Sequence, residues 1–114
     1  MGRTTEQVFQ DHMASLMRGD LPAVIADYSE DAVLMTLEGA AAGKAAIEAF
    51  FANGMGAMPN MRMAAAGVQV HGEYVLVAWS AEFDGGSIPH GVDTFVIRDD
   101  HIRLQTVWFS VVPA

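Results

Sequence analysis

The sequence predicts an α+β domain. Its first half contains three stretches with apolar residues at helical spacing, and its second half contains four stretches with the pattern of strands. Short turn sequences rich in Gly, Asp and His separate these four strands. Helices followed by hairpin-linked strands are typical of the α+β class. Since no internal repeat or linker interrupts the 114 residues, we expect one domain spanning residues 1–114.

Two helices are expected at the start of the chain. The first begins at a capping box formed by Thr4 and Gln7 and ends before Gly19. Asp20 can cap the second helix, which begins near Pro22. The apolar stripes of the two helices contain Val8, Phe9, Met13, Leu16, Met17, Leu21, Val24, Ile25 and Tyr28.

A strand and a third helix complete the first half. We expect a turn at residues 29–31, a short strand at 32–39 and a loop of small residues at 39–43. The third helix is expected at residues 44–53, since Asn, two Gly and a Pro follow between residues 53 and 59. The apolar face of this helix carries Ile47, Phe50 and Phe51.

The second half predicts strands joined by tight turns. The expected strands are residues 61–70, 74–83, 90–98 and 102–111. The expected turns are residues 71–73, 84–86 and 99–101.

Asp93 stands out within the third of these strands. In an alternating strand it faces the same side as Phe95 and Ile97. If that side is the core, burial of the carboxylate is costly unless the group is paired or protonated. Asp93 is therefore either a structural carboxylate with a nearby partner or part of a functional site.

The four histidines differ in position. His12 lies on the apolar stripe of the first helix, where it is either a hydrogen-bonded core residue or a functional group. His90 has the opposite parity to Asp93 and is expected to face outward, unless a bulge after Pro89 turns it inward. His71 lies in a turn and is expected to be solvated, as is His101.

Composition excludes several classes of partner. With a net charge of −8 and only six basic residues, the chain is a poor match for nucleic acid or an anionic membrane. It has no cysteine, no signal-peptide pattern and no membrane-length apolar run, so we expect a cytoplasmic protein. No ligand spacing such as H-x-x-x-H occurs, and we expect no metal and no other cofactor.

Methionine is abundant, with eight residues in the chain. Seven are internal and lie in the first two-thirds of the sequence, where they either fill core gaps or line an adaptable apolar cavity. They are Met13, Met17, Met35, Met55, Met58, Met61 and Met63.

Residues 18–51 resemble the opening of the SnoaL-like and ketosteroid-isomerase-like branch of the NTF2-like superfamily. Residues 92–109, VDTFVIRDDHIRLQTVWF, are similar to the last two strands of that family around an acidic turn. The matching elements of the first half are Gly19-Asp20-Leu21, Tyr28, Glu30-Asp31-Ala32-Val33, Gly43-Lys44, Ile47 and Phe50.

The resemblance implies a cone-like domain in which a strongly curved mixed sheet wraps around the N-terminal helices and encloses a deep apolar pocket. Such proteins commonly form homodimers through the sheet. The family includes isomerases, dehydratases, cyclases, epoxide hydrolases and binding modules without catalysis, so the fold does not define the reaction.

The resemblance also implies roles for three positions. The oxyanion-binding aspartate of ketosteroid isomerases falls on Asp93, and their tyrosine donor falls on His12. Their catalytic base falls on Thr36, which cannot act as a base. Two catalytic arrangements are left: His12 and Asp93 act together, or Asp93 acts alone, as in SnoaL-like cyclases.

The predicted pocket would bind an apolar small molecule. Tyr28 could lend a hydroxyl group to it. The predicted walls are Met13, Met17, Met35, Phe51, Met55, Met63, Trp79, Phe95 and Trp108.

Three functions follow. The first is an isomerase- or lyase-type enzyme for acid/base chemistry (isomerisation, dehydration or cyclisation) on an apolar carbonyl compound. The second is a non-catalytic ligand-binding or dimerisation module. The third, an epoxide hydrolase of the limonene type, needs an arginine beside Asp93, whereas Arg98 lies at the far end of the strand with opposite parity.

Overall fold

The computed structural model describes residues 2–114. Three helices and a mixed sheet form within this range, so the α+β prediction is confirmed. The helices are α1 (Thr5–Met17), α2 (Leu21–Ala26) and α3 (Lys44–Ala57). The strands are β1 (Tyr28–Thr36), β2 (Gly39–Ala42), β3 (Arg62–His71), β4 (Tyr74–Phe83), β5 (Gly86–Arg98), β6 (His101–Phe109) and β7 (Val112–Pro113).

The sheet is curved and unclosed. Its strand order is β2-β1-β6-β5-β4-β3, with β7 added beside the start of β5. Strands β1 and β6 run parallel, and the other pairs are antiparallel. Helix α1 packs against β3, β4 and β5, while α3 packs against β1 and β2. The helices therefore cover one face of the sheet, and the core lies between the helices and that face.

The first helix begins as the sequence predicts. The Thr4 hydroxyl accepts a hydrogen bond from the Gln7 amide (3.1 Å), and the Gln7 side chain accepts one from the Thr4 amide (2.9 Å). The apolar stripe of α1 then meets the sheet. The principal core residues are Val8, Phe9, Val24, Tyr28, Leu34, Ile47, Val75, Val77, Phe95, Ile97 and Ile102.

Two predictions around β1 are wrong. Residues 29–31 form part of β1 instead of a turn, where they span a register irregularity between Tyr28 and Val33, which pair with Ile102 and Leu104 of β6. Residues 39–42 form the edge strand β2 instead of a loop, because their backbone pairs antiparallel with residues 33–36. Small side chains do not prevent a segment from adding its backbone to an open sheet edge.

Three other boundaries also differ. Helix α3 continues through Gly54 and Gly56 to Ala57 and ends just before Pro59, so tertiary packing outweighs the low helix propensity of glycine. Strand β5 begins at Gly86 instead of residue 90, because a register shift near Pro89 keeps pairing with β4 on both sides of the proline. Strand β6 ends at Phe109, and the chain then pairs again as β7.

No helix within residues 2–114 is long and apolar enough to cross a membrane.

Candidate active site

Asp93 lies on the inner face of the sheet, as the alternation of β5 predicts. It pairs with Val77 of β4 and Val107 of β6, and it shares its face with buried Phe95 and Ile97. The residue itself is half-buried. The carboxyl group therefore stands at the edge of the apolar core.

Two diagonal neighbours hold the Asp93 carboxyl group. Trp79 of β4 donates from Nε1 to Oδ1 (3.0 Å). Gln105 of β6 donates from Nε2 to Oδ2 (3.0 Å). Diagonal positions on adjacent strands are within reach of long side chains, which explains why both contacts form. Both donors are electrically neutral.

Gly91 makes the tryptophan contact possible. It pairs with Trp79 across the strands, and the indole ring lies over the Gly91 backbone. A Cβ atom at this position would overlap the indole ring. The absence of a side chain at residue 91 thus lets Trp79 reach Asp93.

Burial raises the pKa of Asp93 from 3.8 to about 6, and the hydrogen bonds from Trp79 and Gln105 only partly oppose this. No salt bridge to this carboxyl group forms within residues 2–114. A carboxyl group with such a pKa changes protonation close to neutral pH, as acid/base catalysis requires.

A chain of buried hydrogen bonds leads from Asp93 into the core. The Oε1 atom of Gln105 accepts a hydrogen bond from the Tyr28 hydroxyl. That hydroxyl also lies 3.2 Å from Nε2 of His12. Tyr28 and His12 have no exposed surface, and Gln105 is 2% exposed. Burial, followed by the negative charges of Asp93 and Asp27, raises the pKa of Tyr28, so this hydroxyl keeps its proton.

Asp27 orients His12 at the end of this series of hydrogen bonds that is farthest from Asp93. Its Oδ2 atom lies 3.0 Å from Nδ1 of the imidazole. Arg3 binds the other oxygen of Asp27 (3.1 Å) and also pairs with Asp11 and Asp100. Burial acts to raise the pKa of Asp27, but the contacts with His12 and Arg3 outweigh it and lower the pKa. Asp27 is therefore an ionised partner for His12.

His12 and Asp93 are thus joined through two intermediates, Tyr28 and Gln105, instead of touching. We refer to these five residues as the network: Asp27, His12, Tyr28, Gln105 and Asp93. The buried side-chain nitrogen and oxygen atoms of the network all have hydrogen-bond partners. Within residues 2–114, no buried side-chain nitrogen or oxygen lacks a hydrogen-bond partner. His12 has no exposed surface, and its connection to Asp93 runs only through the side chains of Tyr28 and Gln105.

The predicted pocket walls fall into three groups. Trp79, Phe95 and Tyr28 are buried on the inner face of the sheet. Met17, Met35 and Trp108 are exposed, by 56%, 43% and 47%. The half-buried members are Met13, Phe51, Met55 and Met63.

Two surface depressions lie elsewhere. One of about 340 Å³ is lined by charged residues beside Tyr28, including Lys44 and Arg103. The other, of about 650 Å³, surrounds Arg3 and Asp100. Asp93 lines neither. The space that a ligand would occupy at Asp93 is therefore not one of these two depressions.

The remaining predicted positions are peripheral. Thr36 lies at the end of β1, where its hydroxyl accepts from the Glu38 amide (3.1 Å). Arg98 pairs with Glu73 through two hydrogen bonds of 2.8 and 2.9 Å, so it does not supply the arginine of an epoxide hydrolase. His90 is exposed, as its parity predicts. Within residues 2–114, no cluster of His, Asp or Glu is placed to hold a metal.

Sequence reasoning missed Gln105, Asp27, Arg3 and Gly91. The alternation of β6 contains a signal for Gln105, because this polar residue has the parity of the apolar Val107 and Phe109. That parity becomes informative only when the register between β5 and β6 is known.

Comparison with known proteins identifies the family. Residues 9–105 match the SnoaL-like domain family. The chain belongs to this family. No curated protein matches the chain.

The SnoaL-like domain is also similar to solved NTF2-like structures. A candidate ketosteroid isomerase from Kribbella flavida is 14% identical, with a TM-score of 0.80 over 93% of this chain and 77% of the other. A candidate polyketide cyclase from Sinorhizobium meliloti is 18% identical, with a TM-score of 0.79 over 90% and 94%. An NTF2-like protein of unknown function from Burkholderia pseudomallei is 18% identical, with a TM-score of 0.81 over 93% and 90%. At these identities the similarity shows the NTF2-like fold alone.

Proposed function

We propose that this SnoaL-like domain is an enzyme that removes a proton from the carbon next to the carbonyl group of an apolar compound. Asp93 is the catalytic base, and the proton is returned at another position or lost with a leaving group. Isomerisation, dehydration and cyclisation share this first step. One observation carries the proposal: a half-buried carboxyl group on the inner face of the sheet, held by two neutral donors.

The surroundings of Asp93 support an apolar substrate. Trp79 and Phe95 flank it on the inner face, and Met63 packs against the cluster that contains Trp79. Apolar walls around one polar group are typical of small-molecule sites. The names of the similar structures, a candidate isomerase and a candidate cyclase, agree with a reaction that begins by proton abstraction.

The pH dependence of proton abstraction tests the proposal. Nitrobenzisoxazole is a suitable probe, because it opens to a coloured phenolate when a base removes its carbon-bound proton. We expect saturable turnover whose rate rises with pH through about 6 and then levels, because only the ionised Asp93 accepts a proton. Acetate at equal concentration is the control carboxylate. A rate no greater than that with acetate at every pH contradicts the proposal.

A non-catalytic binding module is the second candidate. It is favoured by the complete bonding of the network, since both oxygens of Asp93 already accept a hydrogen bond from the protein. In this case the domain would bind apolar small molecules without converting them. Saturable binding of the probe, observed by tryptophan fluorescence and without phenolate release, would support this function.

We also propose that the domain forms a homodimer through the outer face of the sheet. Exposed apolar residues lie together on this face, because the pairings Ala78–Val92 and Val92–Trp108 place them on one side. Contiguous exposed apolar residues mark interaction surfaces. The residues are Tyr74, Leu76, Val92 and Trp108.

Sedimentation analysis tests the dimer. The wild-type chain is expected to sediment as a dimer, whereas the double variant Leu76→Glu, Trp108→Glu should be monomeric, because two carboxylates per chain would be buried at the interface. Leu37→Glu is the matched control, since Leu37 is exposed in the β1–β2 turn away from this face. A monomeric wild-type chain, or a dimer that tolerates the double variant, would refute the proposed interface.

A further inference from the structure

Asp93 lies where two apolar clusters of the inner face meet. Phe95, two residues further along β5, belongs to the principal core. Trp79, which donates to the Asp93 carboxyl group, belongs to a second cluster. An apolar ligand beside Asp93 therefore has to lie against one cluster or the other. We call the second one the methionine cluster; in it, half-buried Met58, Met61 and Met63 pack against buried Trp79, Ala81 and Ile88.

The principal core presents rigid neighbours to a ligand. Phe95 meets the rings of Phe9 and His12 edge to face, with ring centroids 5.7 and 5.8 Å apart. Both residues belong to α1, and neither is more than 6% exposed. Close-packed interior side chains do not make room unless the elements that carry them move. A ligand on this side would therefore have to displace α1 from the sheet.

The cover of the methionine cluster is held more weakly. Met58 and Met61 lie in the connection between α3 and β3. From residue 48 to residue 61, every residue is half-buried or exposed. Methionine has a flexible, unbranched side chain that adapts to apolar surfaces of different shape. Segments with few buried contacts open more readily than the rest of a protein, so a ligand can enter on this side.

The last turn of α3 contains two glycines that the local geometry does not require. Neither Gly54 nor Gly56 has a positive φ. A Cβ atom at Gly54 would come no closer than 4.0 Å to the Met58 methyl group, and one at Gly56 would have open space around it. Glycine destabilises a helix relative to alanine. The packing of Met58 therefore offsets a weak last turn, and loss of that packing would release it.

Both ends of this turn are fixed. The body of α3 is anchored by Ile47, which has no exposed surface. Beyond the turn, the Pro59 carbonyl accepts from the Asp84 amide (2.9 Å), and the Asn60 side chain donates to the Asp84 carboxylate. Residues 54–58 lie between these two anchors, so they can move away from Trp79 while the rest of α3 and β3 stay in place.

We propose that the methionine cluster binds the apolar part of the substrate. Met58 and Met61 move off the indole of Trp79, and a flat apolar ring system takes their place with its reacting carbon toward Asp93. Trp79 supplies an aromatic surface for such a ring, and the ring of Phe109 lies beside it at a centroid distance of 5.8 Å. The use of this site in turnover rests on the proposed function, whereas binding at the site does not.

Fluorescence of Trp79 tests the location of the site. The chain has two tryptophans, so Trp108→Phe leaves Trp79 as the single reporter. Asp93→Asn is added so that nitrobenzisoxazole binds without being converted. We expect saturable quenching of Trp79 by the probe. Quenching that rises only linearly with probe concentration, as collisions produce, would overturn the inference.

Alanine at the two glycines tests the movement in this background. In Gly54→Ala, Gly56→Ala we expect association of the probe, followed by stopped-flow quenching, to slow by about fivefold or more, because two alanines stabilise the closed last turn. Gly67→Ala is the matched control, since Gly67 is exposed on β3, has no positive φ and has open space for a Cβ atom. It should keep the rate of its parent protein. Equal rates in all three proteins contradict the movement.

A thiol at position 58 reports the displacement of this side chain. The chain has no cysteine, so Met58→Cys provides a single site for alkylation. We expect faster alkylation when the probe is bound, because residue 58 then leaves the cluster. Leu37→Cys is the matched control, since Leu37 is 88% exposed and should react equally with and without the probe. An alkylation rate at position 58 that stays constant or falls on binding would mean that Met58 is not displaced, against the inference.

Failure of the proposed function gives a different result. Saturable binding with the expected effects at residues 54, 56 and 58, but without turnover by the wild type, contradicts only the enzyme. Turnover by the wild type without these effects contradicts only the methionine cluster as the binding site.

Discussion

Replacing Asp93 with Asn is expected to abolish proton abstraction while the domain stays folded. An asparagine amide cannot accept the substrate proton, and loss of a general base lowers the rate by about two to four orders of magnitude. The substitution keeps the size of the side chain. The asparagine oxygen still accepts from Trp79. The asparagine nitrogen can donate to Oε1 of Gln105 once the side-chain amide of Gln105 rotates by half a turn. The measurement is kcat/KM for the probe together with circular dichroism.

Asp99→Asn is the matched control for this variant. Asp99 lies in the β5–β6 turn on the same chain segment, is exposed, and has a positive φ of 52° that asparagine tolerates. It should retain wild-type turnover. Unchanged activity in Asp93→Asn would remove Asp93 from the catalytic role.

The same substitution should change how stability depends on pH. Because the pKa of Asp93 is raised from 3.8 to about 6 in the folded state, the folded protein binds the extra proton, and stability falls as pH rises across that window. The resulting cost at neutral pH is on the order of 3 kcal/mol. The free energy of unfolding of the wild type should therefore fall between pH 4 and pH 7 by more than that of Asp93→Asn. A parallel pH dependence in the two proteins would contradict a raised pKa.

Replacing Asp27 with Ala is expected to cause the largest loss of stability. Asp27 is 6% exposed and joins Arg3 to His12. Its removal leaves the Nδ1 hydrogen of His12 without an acceptor in the core, and breaking a buried charged pair costs about 3 kcal/mol or more. Denaturant unfolding at pH 7 measures the effect. Asp31→Ala removes an exposed carboxylate nearby and should cost less than about 1 kcal/mol.

The contribution of Asp27 also has a defined pH direction. Its pKa is lowered in the folded state, so its stabilisation is present above the unfolded value of 3.8 and is lost as pH falls through the folded pKa. The difference between wild type and Asp27→Ala should therefore shrink in acid. A difference that is constant from neutral pH into acid would mean that lost packing, and not lost charge, destabilises the variant.

These two carboxylates have opposite roles within one network. Asp27 is ionised and structural because cations surround it, whereas Asp93 meets only neutral donors and can change protonation. The difference comes from their partners and not from the residue type. His12 belongs with Asp27 as a buried, positioned group, and hydrogen bonds connect it to Asp93 through Tyr28 and Gln105.

Several features of the fold could be predicted from the sequence because they depend only on residues that are close together in the chain. The capping box at Thr4 and Gln7 depends on residues three apart, and the inward orientation of Asp93 depends on the two-residue period of a strand. The segments at residues 29–31 and 39–42 could not be predicted in this way. Residues 39–42 become a strand through pairing with residues 33–36, and residues 29–31 lie in a register irregularity of β1 between Tyr28 and Val33, which both pair with β6.

The register between β5 and β6 shows most directly what tertiary structure decided. Arg98 pairs with His101 and Ile97 with Ile102, but Val96 pairs with Leu104, so Arg103 is an extra residue in β6. Without this bulge, Trp108 would face inward and Gln105 outward, because a shift of one residue reverses the face of every side chain. The sequence by itself determined that Asp93 faces the core. The bulge determined that Gln105, and not Thr106, stands beside it, since strand register depends on long-range pairing that no local pattern specifies.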